Sequence, residues 1–400
     1  ERLDLVFNAE QSPKKAYAIG SVGVESESPG GRAQAQAARL ELFFAGPDGE
    51  LSQAEWKGAV RMVLTPAAPN AGARVLTSEA VEMAIRAGGN ELETARTLAP
   101  ARLELLPSRG DGPGDGLQPP PQPSGARRGA RRVLTAEGLW MQFGEENRLR
   151  LLRAEKNVRM ESEISPRQPS ADRGAARGGA AAAAPLLRVT TSDLLVAQFQ
   201  SDSQELEKLE QSGNFHYQEG EQQARAEHAF YDADQETVLL SAGAGRNPEV
   251  WDPHTRTSAR RVLLNEKTSE GTAEQEVQSV HLPQQKASSR VPGPLAAGEP
   301  VHVVAQWMRS NSKTGVTRYQ SPAGRRVRMW QGGDVIEARS IELEREARRL
   351  TAQGEVATVL VERAATAKAD SRSPPGVASG PRTPAPESRP LLITAETLVY

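Results

Sequence analysis

Four hundred residues with 49 Lys and Arg against 51 Asp and Glu leave a net charge of −2, which removes the electrostatic case for nucleic-acid binding. Zero cysteines exclude disulfides, thiolate catalysis and Cys-based zinc sites, and no window approaches the ~18 consecutive apolar residues of a membrane-spanning helix. Hydrophobic content of 38% and aromatic content of 4% are low for a globular chain, and Pro/Gly/Ala/Arg-rich stretches account for part of the deficit.

From the N-terminus, Leu3, Leu5 and Phe7 predict one strand arm, and Ala18-x-Gly20-x-Val22-x-Val24 predicts a second. A nine-residue phrase then begins at Gln36 (QAARLELFF) and recurs at Thr77 (TSEAVEMAI), Thr135 (TAEGLWMQF) and Thr191 (TSDLLVAQF). Further copies start at Ser258 (SARRVLLNE), Glu337 (EARSIELER) and Thr394 (TAETLVY), with weaker units near 225 and 302. The second position is Ala or Ser, and the fifth and seventh are nearly always apolar, which is period-two strand patterning. One strand face therefore carries Leu40, Leu42 and Phe44; Val81, Met83 and Ile85; Leu139, Met141 and Phe143; and Leu195, Ala197 and Phe199. Val262 and Leu264, Ile341 and Leu343, and Leu398 and Tyr400 continue it. The opposite face, with Arg39, Glu41, Glu82, Gln142, Gln198, Glu342 and Glu344, is assigned to water.

Each phrase is followed by a polar turn and a second arm, at Leu51–Met62, Leu152–Met160, Leu206–Tyr217 and Leu350–Val356. Gly or Asn just before the apolar alternation of these arms predicts a bulge with positive φ, and Lys156-Asn157 stands at that place in one of them. Arg339–Leu350 has Glu and Arg at four-residue spacing, but its register favours a strand and turn over a helix.

Inserts at Pro107–Arg131, Glu163–Leu186 and Ala365–Arg389, with a linker at Gln284–Glu299, are expected to be solvated and disordered. Once they are set aside, the phrases recur about every 33 residues, enough for two strands and their turns. Repeats are thus assigned to 1–106, 132–162, 187–283, 300–364 and 390–400. The chain begins without Met and stops inside a phrase at Tyr400, so it reads as a fragment or processed form. Stacked arms give two facing sheets whose inner side chains either seal a dry core or splay around an elongated apolar ligand.

The succession T-A-E-x-L-x-x-x-F, then L-x-x-A-x-G/N-V-x-M, resembles the OstA-like repeat of the lipopolysaccharide-transport proteins LptA, LptC and the N-terminal domain of LptD. Its clearest stretches are Leu134–Glu161, Val189–Tyr217, Arg328–Val361 and Leu391–Tyr400. The resemblance implies an all-β fold, an elongated, twisted, taco-like β-jellyroll of antiparallel strand pairs in the periplasm. It further implies acyl chains of lipopolysaccharide or a related lipid held between the sheets and passed toward the outer membrane. Other OstA-like proteins would join at the open sheet edges. The lining expected on that basis is Leu40, Leu42, Phe44, Leu139, Met141, Phe143, Val158, Met160, Leu195, Phe199, Ile341, Leu343 and Val356. A sealed structural solenoid, or the periplasmic domain of an outer-membrane assembly protein, are the competing readings.

No enzymatic chemistry is expected and no cofactor is implied. His216, His228, His254, His281 and His302 lack metal-ligand spacing to acids, although His216 and His228 are candidates for cross-strand neighbours. Ala242-Gly243-Ala244-Gly245 lacks the Gly-Lys-Ser/Thr of a phosphate loop, and no Gly-x-Ser-x-Gly elbow occurs. Glu137 and Asp193, at one repeat position, read as turn or edge contacts, and Trp56, Trp307 and Trp330 as packing residues in strand arms.

Overall fold

The computed structural model describes residues 2–9, 11–28, 30–46, 49–67, 72–88, 91–107, 131–164, 186–201, 205–243, 245–283, 299–345, 347, 349–361 and 390–399. The expected disorder of the three inserts and the linker lies almost wholly outside these residues, as does Tyr400. The fold is all-β: among the described residues the only helical turn is a 3-10 turn at Glu145–Asn147.

Two compact units divide the chain: Glu1–Asp252 with Arg261–Ser269, and Pro253–Arg260 with Glu270–Tyr400. The strands in chain order begin with β1 (Arg2–Phe7), β2 (Pro13–Ser28), β3 (Gly31–Ala45), β4 (Glu50–Pro66), β5 (Arg74–Ile85), β6 (Leu92–Thr97) and β7 (Ala101–Leu105). Next come β8 (Arg132–Ala136), β9 (Gly138–Phe143), β10 (Leu149–Ile164), β11 (Leu186–Phe199), β12 (Leu206–Glu219) and β13 (Gln222–Asp232). Then follow β14 (Thr237–Ser241), β15 (Glu249–Trp251), β16 (Thr255–Ser258), β17 (Arg261–Asn265), β18 (Glu270–His281) and β19 (Val301–Asn311). The last are β20 (Val316–Gln320), β21 (Val327–Gln331), β22 (Asp334–Ala338), β23 (Ser340–Glu344), β24 (Arg349–Val361) and β25 (Pro390–Val399). Unit 2 holds β16 and β18 to β25; the rest belong to unit 1. The described residues of Arg339–Leu350 form a strand (Ser340–Glu344), turn positions at Arg345 and Ala347, and the start of β24, as the register predicts.

The described strand pairings are antiparallel, and the long strands break register near their middles, with further one-residue shifts near some strand ends. Five of the mid-strand breaks fall at Gly58-Ala59, Lys156-Asn157, Gly213-Asn214, Gln275-Glu276 and Gly354-Glu355, where both residues have positive φ, from 48° to 80°. In β2 the break falls at Gly20-Ser21, where only Gly20 has positive φ. Two consecutive left-handed residues cannot continue a flat strand, so the chain turns a corner there. Facing strands are often broken at the same level: β5 pairs with β6 on one side of its corner and with β7 on the other. Likewise, β10 pairs with β9 and β8 on its two sides.

The corners therefore split each unit into two ladders. In unit 1, ladder I runs through β1 and the first half of β2, then continues to β14 and β17 using the halves of the phrases from position four onward. Ladder II runs through the other halves, including β7, β8 and β15. In unit 2, β20 and β23 belong to ladder I, and β16, β21 and β22 to ladder II. Leu40, Trp56, Val81, Leu139 and Leu195 of ladder I and Val60, Met62, Leu76, Leu103 and Val158 of ladder II form one buried cluster, so the ladders of unit 1 face each other.

The recurring phrase is legible in this geometry. Position two lies inside the corner, where only a small side chain fits: Ala37, Ser78, Ala136 and Ser192 are all buried. Position three reaches over the bulge of the neighbouring strand. Asn157 Nδ2 donates to Glu137 Oε1 at 2.5 Å, and Asn214 Nδ2 donates to Asp193 Oδ2 at 2.8 Å. Elsewhere the same place holds an ion pair, Arg260–Glu276 at 3.2 Å and Arg339–Glu355. A Cβ on Gly58 would come within 2.8 Å of Ala38 Cβ, and one on Gly213 within 2.5 Å of Asp193 Oδ2, so close approach and positive φ both select glycine.

Candidate functional site

Exposure of the inward apolar side chains grades from corner to lip. At the corner Leu40, Leu139, Val158, Leu195, Ile341 and Val356 are 0–4% exposed. Farther out, Leu42, Phe44, Met160, Phe199 and Leu343 are only half-buried. Met141 and Phe143 are buried, and they sit where ladder I is flanked by β6 and β10. The thirteen expected lining residues thus divide into a packed floor and an accessible wall. Nine of them, Leu40, Leu42, Leu139, Met141, Phe143, Val158, Met160, Leu195 and Phe199, join the one cluster of unit 1. Ile341, Leu343 and Val356 belong to unit 2.

The wall of unit 1 also carries charge that the strand pattern did not assign. Arg74, Arg132 and Arg188 share the parity of the inward residues Leu76, Leu134 and Thr190, two positions farther from the corner. All three are half-buried. Arg74 lies over the ring of Phe199, across on ladder I, at 5.7 Å, and burial pushes its pKa down to about 10. Burial also lowers the pKa of Arg132, while Tyr231 of ladder I lies within electrostatic reach. Arg188 is compensated: its guanidinium meets Glu219 at 2.8 Å and Glu266 at 3.5 Å, and lies 5.7 Å from the Tyr217 ring. The signal that would have found them is the extended phrase: Arg74-Val75-Leu76-Thr77-Ser78-Glu79, Arg132-Val133-Leu134-Thr135-Ala136-Glu137 and Arg188-Val189-Thr190-Thr191-Ser192-Asp193.

The interior of unit 2 is built differently. The Tyr319 hydroxyl, on ladder I, lies 2.8 Å from His281 Nε2 on ladder II, and Thr257 and Ser279 share a hydrogen bond of 2.9 Å beside Met308. Burial raises the Tyr319 pKa well above the phenol range, so the hydroxyl stays protonated as a crosspiece. At the level where unit 1 has arginines, ladder II of unit 2 has the buried Gln331 and Asp334, whose Nε2 and Oδ1 bond Glu299 O at 2.6 Å and Val361 N at 2.8 Å.

Three other expectations change. Glu41 does not face water: it is 6% exposed, held by Lys15 at 2.9 Å, Arg39 at 2.9 Å and Lys57 at 3.3 Å, because these longer side chains close over it. His216 and His228 are not cross-strand partners: the β12–β13 register pairs them with Arg225 and Ser212, on opposite sides of the Gly213-Asn214 bulge. Of the tryptophans expected to pack, Trp307 departs, being exposed, whereas Trp56 is buried and Trp330 stacks on His302 with 5.1 Å between ring centres. Among the described residues no cluster of His, Asp and Glu could hold a metal ion, and no helix is long and apolar enough to cross a membrane.

No protein-family profile matches the chain, and no curated protein matches it. One solved structure with some likeness is LptH from Pseudomonas aeruginosa, described as the LptA-homologous periplasmic component of the conserved lipopolysaccharide transport device. The two are 10% identical, with a TM-score of 0.27 over 43% of this chain and 93% of that one.

Proposed function

We propose that unit 1 is a lipid-carrying trough that shields the acyl chains of lipopolysaccharide or a related amphiphile and passes them along the periplasm toward the outer membrane. The observation that carries this reading is the exposure gradient. Leu42, Phe44, Met160 and Phe199 keep apolar surface open between two facing ladders, where a sealed core would have buried it. Each methylene kept from water is worth about 0.8 kcal/mol, so a chain of about twelve gains on the order of 10 kcal/mol. Because the wall repeats with the strand array, a lipid meets similar surroundings at each step and no single place traps it. The protein does no chemistry in this reading, and direction comes from its partners, other OstA-like proteins at the sheet edges.

Photo-crosslinking side chains placed at Met160 and Phe199 are expected to capture lipid, and those at the outward, exposed Arg159 and Gln198 are not. Equal capture at all four positions would sink the trough.

For unit 2 the Tyr319–His281 crosspiece favours the second reading, a sealed structural segment. A crosslinker at the half-buried Leu343 would then stay unlabelled while Phe199 labels.

A further inference from the structure

Cations inside an apolar trough are costly, and the strand pattern offers an alternative at every step. Arg131, one residue before Arg132, faces outward and pairs with Glu104 at 2.9 Å and Glu163 at 3.5 Å. Arg132 has the opposite parity and, among the described residues, no carboxylate pairs with it. The same inward place is arginine in three phrases of unit 1, at Arg74, Arg132 and Arg188. In ladder II, β7 lies between Arg74 and Arg132, and β10 between Arg132 and Arg188. At two strand spacings apiece the guanidiniums recur about every 9.5 Å along the lip. Each lies four residues, roughly 13 Å, out from its corner, with the apolar wall between. Glu219 answers Arg188, whereas among the described residues no carboxylate answers Arg132, so the surplus positive charge lies at Arg132.

We propose that this lip of unit 1 is an oxyanion site, in which Arg132, flanked by Arg74, takes the phosphate or carboxylate headgroup of an amphiphile whose acyl chain lies against the apolar wall. A guanidinium presents two parallel N–H donors to either anion, and partial burial strengthens the pair by removing competing water. The spacing suits an amphiphile bearing more than one anionic group, or a succession of singly charged ones. Leu64 and Leu105 flank Arg74 in register and keep the lip apolar beside the charge. The inference rests on the trough reading, and the test separates the two.

The full chain is titrated with four probes: a monoacyl phosphate (palmitoyl lysophosphatidic acid), palmitate, the uncharged monopalmitoylglycerol, and inorganic phosphate. The phosphate amphiphile is expected to bind about tenfold or more tightly than the uncharged one, as a charge-assisted pair requires. Arg74→Gln with Arg132→Gln should bring the two within about threefold by weakening the phosphate amphiphile. Arg132→Lys should keep part of the preference, and Arg131→Gln all of it; retained circular dichroism shows that each variant folds. Palmitate binding as tightly as the monoacyl phosphate assigns the site to carboxylates and phosphates alike, whereas weaker binding assigns it to phosphate. Equal binding of charged and uncharged lipid to the unsubstituted chain, or a preference that survives the double substitution, overturns the oxyanion site and leaves the trough standing. Inorganic phosphate binding as tightly as the amphiphile overturns the headgroup assignment. Binding of neither lipid overturns the trough and the site together.

Discussion

Glu41 shows how far a residue can depart from what its strand parity promises. Alternation places it on the solvent face, yet three long cationic side chains fold over it and leave it buried. The hydrogen bond from Lys15, with a further one from Lys57, holds its pKa below the carboxylate value of 4.5. With the folded value depressed, the contribution to stability is present above that pH and is lost as pH falls through the folded value. The stability difference between the native chain and Glu41→Gln should thus be largest near pH 7 and shrink toward pH 3, read as denaturant midpoints. Ile341, fully buried at a corner, is a simpler case: Ile341→Ala should cost about 2–5 kcal/mol in denaturant unfolding, since it removes three methylene-sized groups from a filled space.

The two-residue bulge is the element that makes this fold, because it converts one long strand into a member of two ladders. Glycine or asparagine occupies the bulge in the phrases where it could be anticipated, at Gly58, Asn157, Gly213 and Gly354. Gln275 and Glu276 form the same corner with φ of 65° and 55° but offer no such signature, so this one escapes pattern reading. Their strained backbone makes a prediction: Gln275→Gly with Glu276→Asn should raise stability by about 1 kcal/mol. Conversely, Gly213→Ala should lower it by about 1–2 kcal/mol, since the new Cβ meets Asp193 and disturbs its bond to Asn214. Both follow from thermal or denaturant midpoints. Neither change should alter lipid capture at Phe199 if the wall, which lies at the far end of the half-strands, is where lipid is held.

For each unit taken whole, the antiparallel pairing followed from the resemblance, while the period-two phrase and its spacing were enough to read the all-β class, most of the inward apolar face and the bulges at Gly58, Asn157, Gly213 and Gly354. These depend on side-chain alternation and on backbone conformations few residues tolerate, both written locally in the chain. How open the interior is was not written there, because Leu139 and Phe199 obey the same alternation while one seals a floor and the other lines a wall. That distinction depends on the distance between ladders, which only the corners and their packing set. The inward arginines were present in the sequence as a repeated Arg-Val-Leu/Thr-Thr-Ala/Ser phrase, but their meaning required knowing which ladder they join and that Glu219 answers one of them. The tertiary structure likewise decided the Tyr319–His281 crosspiece, which joins residues 38 positions apart across the interior of unit 2. Local pattern fixed which way each side chain points; only the meeting of two ladders decided what each one faces.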